Sequence, residues 1–210
     1  MAVVVVMAIL VASADAVRAQ TASPRGGAAA APAAAPAPAR SPGAGPVLVF
    51  ETNKGTFEIE TYPNEAPKSV EHILALVKRN FYNGLRFHRV EPEFVAQFGD
   101  PQTRDMTRRN LWGNGGSGNP IGVSEISPKR PHRLGAVALA HSGDPRSADS
   151  QMYIALNGPE RYTGQVQGRF AVIGQVISGM DVVMKLSDGD KEDGGNSMPD
   201  VIRRVTVKAP

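Results

Sequence analysis

Cysteine is absent from the 210-residue sequence. This absence excludes disulfide bonds, thiolate catalysis, cysteine-ligated zinc and a lipoprotein-type cysteine anchor. The 4 histidines, in turn, lack a metal-binding spacing such as His-Glu-x-x-His. We therefore predict that the protein needs no metal and no cofactor.

Net charge is also small. The chain has 23 Lys and Arg residues against 20 Asp and Glu residues, which gives a formal net charge of +3. The basic residues are dispersed, without a long run or a basic stripe interleaved with aromatic residues. This distribution is typical of ordinary solvation and predicts that nucleic acid is not a partner.

The longest apolar run lies at the N-terminus. The sequence is almost entirely apolar from Ala2 to Ala12, and small residues follow to Ala19. Residues 1–19 are therefore predicted to be a signal peptide or a short N-terminal anchor. No Lys or Arg precedes the run, unlike a standard signal peptide, but spanning a bilayer takes about 20 apolar residues and this stretch ends at Asp15. We expect an exported protein, periplasmic or secreted, that is membrane-tethered only if this segment is not cleaved.

Residues 20–46 are dominated by Ala, Pro and Gly. They contain too few large apolar groups to offset the entropy of ordering, so they are predicted to form a disordered linker. Residues 47–210 can build one hydrophobic core and are predicted to form a single domain.

Short strands separated by turn residues dominate this domain. An amphipathic helix is predicted from Pro67 to Arg79, and a short second helix, capped by Ser178, extends to Leu186. Many strands and two helices indicate a mainly β domain, either a closed antiparallel barrel or a sandwich. The predicted strands span residues 47–52, 56–60, 85–90, 94–97, 135–140, 151–156, 170–176 and 201–207.

A long surface excursion is predicted from about Pro101 to Pro131, because Gly, Pro, Asn and Arg are frequent there and periodicity is weak. One hypothesis is that basic residues of this region recruit acidic segments of client proteins. They are Arg104, Arg108, Arg109 and Lys129.

Two segments carry a specific resemblance. Residues 81–90 read FYNGLRFHRV and residues 94–101 read FVAQFGDP; together they closely resemble the cyclophilin signature around its catalytic arginine. Residues 135–141 read GAVALAH and residues 144–154 read DPRSADSQMYI, which is similar to the family's second pocket-forming strand and loop. With flanking pieces that also agree, the resemblance covers nearly all of residues 47–210.

This resemblance implies a fold and an activity. The fold is a closed eight-stranded antiparallel β-barrel capped by two α-helices. The activity is peptidyl-prolyl cis/trans isomerisation, without cofactor, on proline-containing unfolded or flexible polypeptides. We expect a monomer. An alternative from another class remains open, namely a proline-segment binding or chaperone module with little turnover.

The resemblance also implies site residues. Arg89 is the central catalytic residue, and Gln97 and Phe94 act with it. The expected substrate-binding residues are Phe87, His88, Val95, Ala140, His141, Tyr153, Val166 and Phe170. The chain departs from the family pattern at several positions: Tyr153 and Met152 stand where phenylalanine is usual, Val95 where methionine is common, and Glu93 and Phe98 where glycine is frequent.

Overall fold

The computed structural model describes residues 45–189 and 197–209. The predicted signal peptide, residues 1–19, and the predicted linker up to residue 44 lie outside the described residues. The last two residues of the predicted linker are hydrogen bonded to the domain. The Gly45 amide donates to the Thr61 carbonyl at 2.8 Å, and the Thr61 hydroxyl donates to the Pro46 carbonyl at 2.7 Å.

The domain is mainly β, as the sequence predicts. Within the described residues, four short 3-10 turns lie between the regular elements, at Pro101–Arg104, Met106–Leu111, Pro145–Ser147 and Pro159–Tyr162. The strands and helices are β1 Val47–Thr52, β2 Gly55–Thr61, α1 Pro67–Lys78, β3 Arg89–Glu91, β4 Val95–Phe98, β5 Ala136–Leu139, β6 Met152–Ala155, β7 Val172–Ser178, α2 Met180–Val183 and β8 Ile202–Val207.

In the part of the chain that the structure describes, all strand pairs are antiparallel and form one eight-stranded sheet in the order β3-β4-β6-β5-β7-β2-β1-β8. The predicted closed barrel is wrong, because β3 and β8 are edge strands and the sheet is an open half-barrel. The segment before β3 meets the start of β8 through the isolated bridge between Arg86 and Val201 and through neighbouring backbone hydrogen bonds, such as the Gly84 amide to the Ile202 carbonyl at 2.7 Å. Closure needs a continuous ladder across this seam, and these contacts do not continue into β3, which pairs with β4 alone.

The predicted α1 is confirmed. Pro67 occupies its first turn, and Val70, Ile73, Leu76 and Val77 are buried at helical spacing. The second helix is shorter than predicted and is not capped by Ser178, which ends β7. Its N-cap is Gly179 at φ 75, a left-handed conformation that glycine adopts without steric cost.

The main core fills the space between α1 and the inner face of the sheet. Its aromatic centre packs Phe50 against Phe57 at 4.9 Å and against Phe98 at 5.5 Å between ring centroids. Phe87 lies 5.2 Å from Phe98, and Tyr82 donates its buried hydroxyl to the Ser150 carbonyl at 3.0 Å. All of these rings are fully buried.

A second set of apolar residues packs apart from the main core, and we call it the outer cluster. Successive strand side chains point to opposite faces, so Ala96 and Phe98 of β4 join the main core while Val95 joins the outer cluster. The outer cluster comprises buried Tyr62, Val95, Ala136, Ala138, Tyr153, Ala155, Tyr162 and Val172, with half-buried Phe94, Ala140, Val166 and Phe170.

Three arginines of the long excursion form hydrogen bonds within the domain, mostly to carbonyls outside the excursion. Arg104 donates to the Phe81 and Asn83 carbonyls, Arg108 donates to Gln102 at 3.0 Å, and Arg109 donates to the Asp188 and Gly189 carbonyls at 2.8 and 3.0 Å. These contacts orient the three guanidinium groups, while Arg104, Arg108 and Lys129 remain exposed, and the recruitment of acidic client segments stays a hypothesis. Within residues 45–189 and 197–209, no helix has the length and apolar character needed to cross a bilayer.

Candidate functional site

Arg89 and Gln97 meet because they are direct partners in the β3–β4 register. Opposed side chains in an antiparallel pair project from the same face. One guanidinium nitrogen of Arg89, Nη1, donates to Gln97 Oε1 at 3.4 Å, and the guanidinium lies 5.6 Å from the centroid of the Phe94 ring. The Arg89 side chain is 45% exposed, so the charge stands at the rim of the outer cluster and is open to solvent.

Glu91 fixes the other side of the guanidinium. Its Oε1 accepts from Arg89 Nε at 2.9 Å and lies 2.7 Å from Nη2. The next residues form a tight turn, closed by the Phe94 amide donating to the Glu91 carbonyl at 3.0 Å. Glu93 adopts φ 59 in this turn, the left-handed region that favours glycine. The turn carries Phe94 from the arginine strand to the outer cluster.

Half-buried side chains of the outer cluster surround an apolar surface next to the guanidinium. The Phe94 ring stacks on Tyr162 at 5.8 Å between centroids, and Arg161 lies 4.7 Å from the centroid of Phe94. Across the cluster, Phe170 packs edge-on to Tyr153 at 5.7 Å. Aromatic walls of this kind suit a small rigid apolar ring.

A chain of amides leads from Gln97 into the adjacent loop. Gln97 Nε2 donates to Gln151 Oε1 at 2.9 Å, and Gln151 Nε2 donates to the Gly113 and Gly115 carbonyls at 2.9 and 2.7 Å. Oxygen and nitrogen of both amides are thereby assigned by their partners. This chain anchors the glutamine beside Arg89, and sequence reasoning gave Gln151 no role although it lies inside the second cyclophilin-like segment.

A cavity of ≈ 430 Å³ lies beside this chain. Its lining includes Gln97, Ala140, His141 and Asp149. Asp149 contacts His72 Nε2 at 3.0 Å and accepts from the Ser117 hydroxyl at 2.5 Å. Burial acts to raise the pKa of Asp149, but these hydrogen bonds outweigh it and hold the pKa below its usual value. The carboxylate is therefore charged, and sequence reasoning did not single it out.

The sequence is similar to those of known proteins. The sequence model of the family described as cyclophilin type peptidyl-prolyl cis-trans isomerase/CLD matches residues 47–207. A probable peptidyl-prolyl cis-trans isomerase of Brucella abortus is 38% identical over 167 residues, which cover 77% of this chain and 82% of the relative. A peptidyl-prolyl cis-trans isomerase of Acinetobacter baylyi is 36% identical over 146 residues, covering 69% and 73%.

The chain belongs to the cyclophilin-type peptidyl-prolyl cis-trans isomerases. The predicted activity, peptidyl-prolyl cis/trans isomerisation, is confirmed with the family. Solved structures agree in fold. The cyclophilin type peptidyl-prolyl cis-trans isomerase of Cryptosporidium parvum has a TM-score of 0.65 at 23% identity, covering 79% of this chain and 98% of that one. A second structure of that protein, obtained in the presence of the dipeptide Ala-Pro, has a TM-score of 0.64 at 23% identity, covering 78% and 99%.

The cyclophilin structure brings together most of the residues predicted for the site. Arg89, Gln97 and Phe94 lie together at the rim of the outer cluster. Five predicted substrate-binding residues belong to the outer cluster or pack on it: Val95, Ala140, Tyr153, Val166 and Phe170. His141 joins them, because its ring centroid lies 4.4 Å from that of Phe170.

Phe87 and His88 lie elsewhere. The Phe87 ring is fully buried in the main core, and Phe87 lies outside β3, so the strand alternation that places Arg89 does not extend to it. His88 is buried as well, and a Cβ added at Gly113 would lie 3.7 Å from its ring. Neither side chain lines the apolar surface beside Arg89.

Proposed function

We propose that Arg89 catalyses rotation about X-Pro bonds by weakening amide resonance, and that the natural substrates are exported polypeptides. One observation carries the mechanism: a half-exposed guanidinium stands at the rim of an apolar aromatic cluster and is oriented by Gln97 and Glu91. A proline ring on the cluster brings its nitrogen close to this charge.

In this mechanism, X-Pro rotation needs only the guanidinium of Arg89 as a hydrogen-bond donor. Rotation about a peptide bond faces a barrier of about 18–20 kcal/mol because the nitrogen lone pair is delocalised into the carbonyl. A guanidinium that donates to the prolyl nitrogen favours the twisted, pyramidal amide, so it binds the transition state more tightly than either planar ground state. No bond to the enzyme forms and no proton is transferred.

The outer cluster supplies the proline pocket. Phe94, Val95 and Tyr153 hold the proline ring while the preceding carbonyl turns, and Val166 and Phe170 enclose its other side. The Cryptosporidium parvum relative, crystallised in the presence of Ala-Pro, supports proline-containing peptides as ligands of this fold.

The residues that precede proline run past Ala140 and His141. His141 has a defined tautomer here, because its Nε2 faces the Arg169 carbonyl at 3.0 Å and its Nδ1 accepts from the Gly143 amide at 3.3 Å. The ring is thus held against Phe170, with the two centroids 4.4 Å apart. The peptide backbone forms a hydrogen bond with Gln97, whose orientation is maintained by its own hydrogen bond to Gln151.

Exported proteins are the natural substrates in this proposal. The support is the N-terminal apolar run of the sequence, Ala2 to Ala12, followed by small residues and a proline-rich spacer. Uncatalysed X-Pro isomerisation takes tens to hundreds of seconds, which is slow enough to limit the folding of a newly exported chain.

The test is two-dimensional exchange NMR of an X-Pro peptide with the wild-type protein, Arg89→Ala and Arg89→Lys. We expect kcat/KM to fall about 10²–10³-fold in Arg89→Ala, as for loss of one transition-state donor, and Arg89→Lys to recover only part of it because a point charge replaces the planar fork. Wild-type turnover retained in Arg89→Ala would overturn the mechanism. Peptide binding without acceleration by the wild type would instead assign a binding module.

A further inference from the structure

Three rings pack together beneath the proposed proline pocket. His132 stacks on Tyr153 with centroids 5.8 Å apart and planes 13° from parallel, and it lies 5.7 Å from Tyr162. His132 is 1% exposed and Tyr153 4% exposed. The histidine comes from the irregular segment before β5, whereas Tyr153 lies on β6. Neither the motif nor the resemblance gave His132 a role.

The hydrogen bonds of His132 fix its protonation. Its Nδ1 lies 3.3 Å from Gln167 Oε1, which also accepts from the His132 amide at 2.9 Å. An amide oxygen accepts only, so Nδ1 carries the proton and Nε2 is left as an acceptor. Nε2 lies 2.8 Å from the Tyr153 hydroxyl, which therefore donates to it.

The pKa shifts of His132 and Tyr153 agree with donation from the Tyr153 hydroxyl to His132. Burial lowers the pKa of His132, although its hydrogen bond with Gln167 opposes this, and so the imidazole stays neutral. Burial also raises the pKa of Tyr153 well above its usual value, with a smaller contribution from Tyr162, so the phenol keeps its proton. A directed chain of hydrogen bonds thus runs from Tyr153 through His132 to Gln167.

Tyr153 needs this partner because its hydroxyl is buried. A buried hydroxyl without an acceptor costs free energy, and the ring would relieve that cost by turning its oxygen toward water. Such a turn would change the surface that Tyr153 and Phe170 present, since the two rings pack edge-on. A phenylalanine at position 153 would have no such requirement.

We propose that His132 is a positioning residue: its Nε2 holds the Tyr153 hydroxyl and thereby sets the shape of the proline pocket. This inference rests on the proposed pocket at Phe94, Val95 and Tyr153. It also specifies how the chain accommodates a tyrosine in a wall where phenylalanine is usual.

The experiment compares four variants of the protein by exchange NMR with the X-Pro peptide: His132→Leu, His132→Gln, Tyr153→Phe and the double variant His132→Leu/Tyr153→Phe. We expect KM to rise about tenfold in His132→Leu, the effect of an unsatisfied buried hydroxyl. His132→Gln keeps an acceptor near the position of Nε2 and should stay within about threefold of wild type. The double variant should recover most of the loss, because no hydroxyl then needs a partner.

The split between KM and kcat separates positioning from general destabilisation. Pocket contacts act on ground and transition states alike, so a distorted pocket raises KM, whereas partial unfolding removes active molecules and lowers apparent kcat at constant KM. Tyr82→Phe is the matched control: it deletes another buried hydroxyl, one that serves the main core, and should leave KM unchanged.

Two results would overturn the inference while leaving the proposed function intact. One is an active wild type with an unchanged KM in His132→Leu. The other is a KM increase in His132→Leu that Tyr153→Phe does not relieve. An inactive wild type would instead contradict the proposed function itself.

Discussion

The two apolar clusters of this domain use similar residues for different ends. The main core contains Phe50, Phe57, Phe87 and Phe98, all fully buried. The outer cluster also has aromatic rings, but the hydroxyls of Tyr153 and Tyr162 are hydrogen bonded to His132 and to the Phe94 carbonyl, and Phe94 and Phe170 are only half-buried. Arg89 and Arg161 lie over the half-buried Phe94 ring of the outer cluster, whereas the aromatic centre of the main core packs ring on ring.

The two clusters differ in how completely their aromatic rings are buried. Phe98 is surrounded by other side chains, so its burial is complete without a ligand. Phe94 keeps part of its apolar surface in contact with water, which is less favourable than covering that surface with another apolar group. The outer cluster is therefore an incomplete core, and in the proposed mechanism a proline ring completes it.

Paired truncations test this comparison most strongly. Phe98→Ala should lower the free energy of unfolding by about 3–5 kcal/mol, because it opens a cavity in a close-packed region. Phe94→Ala should cost only about 1 kcal/mol, since its ring is partly exposed, yet it should reduce kcat/KM by about tenfold or more through the lost pocket wall. Urea unfolding and exchange NMR measure the two quantities.

Two results would contradict this distinction between the clusters. A Phe94→Ala variant as unstable as Phe98→Ala would make the outer cluster an ordinary core. Full turnover in Phe94→Ala would remove it from the pocket.

The sequence predicted the parts of the fold that depend on local pattern. Strand alternation and helical spacing located α1 and seven of the eight described strands, whereas the predicted strand 85–90 overlaps β3 only at Arg89 and Val90. The FHRV and FVAQF segments placed Arg89, Phe94 and Gln97 in one predicted site, and the structure brings these three side chains together. The seam was predicted wrongly, because whether residues 84–88 form a ladder with β8 depends on register between segments more than 110 residues apart, as at Arg86 and Val201. No local periodicity encodes that pairing.

The supporting residues of the site were not predictable for a related reason. Gln151 reaches Gln97 across 54 positions, and His132 reaches Tyr153 across 21. Both lie in irregular segments, where residue type carries little structural signal. Only the departure at Tyr153 pointed toward His132, since a tyrosine in place of a buried phenylalanine requires a partner for its hydroxyl.

The pH dependence of the free energy of unfolding also distinguishes the outer cluster, on which His132 packs, from the main core. His132 has a lowered pKa in the folded protein because it is buried, whereas an unfolded chain binds the proton with a pKa of about 6.5. The unfolded state then binds more protons below that value, so this contribution is fully present above about pH 6.5 and decreases as the pH falls toward the folded pKa. Plotted against pH between about 5 and 7.5, the free energy of unfolding measured with urea should therefore have a positive slope.

That slope should be smaller in His132→Gln, where the other histidines are unchanged. Main-core variants such as Tyr82→Phe should keep the wild-type slope, because they remove no histidine. Equal slopes in wild type and His132→Gln would contradict a buried neutral His132.

The smallest expected effect concerns the charge beside the outer cluster. Glu91 occupies two donors of Arg89 and offsets its positive potential where the prolyl nitrogen is expected. Glu91→Gln keeps an acceptor for orientation but removes the negative charge, so we expect kcat to rise about two- to threefold at low salt and the gain to fade at about 1 M salt, where charges are screened within about 3 Å. The matched control is Glu93→Gln, which changes net charge equally without contacting Arg89 and should leave kcat unchanged. A fall in kcat for Glu91→Gln would mean that the ion pair contributes more through orientation than it costs in potential, and Glu91 would then belong with Gln97 among the groups that aim the arginine.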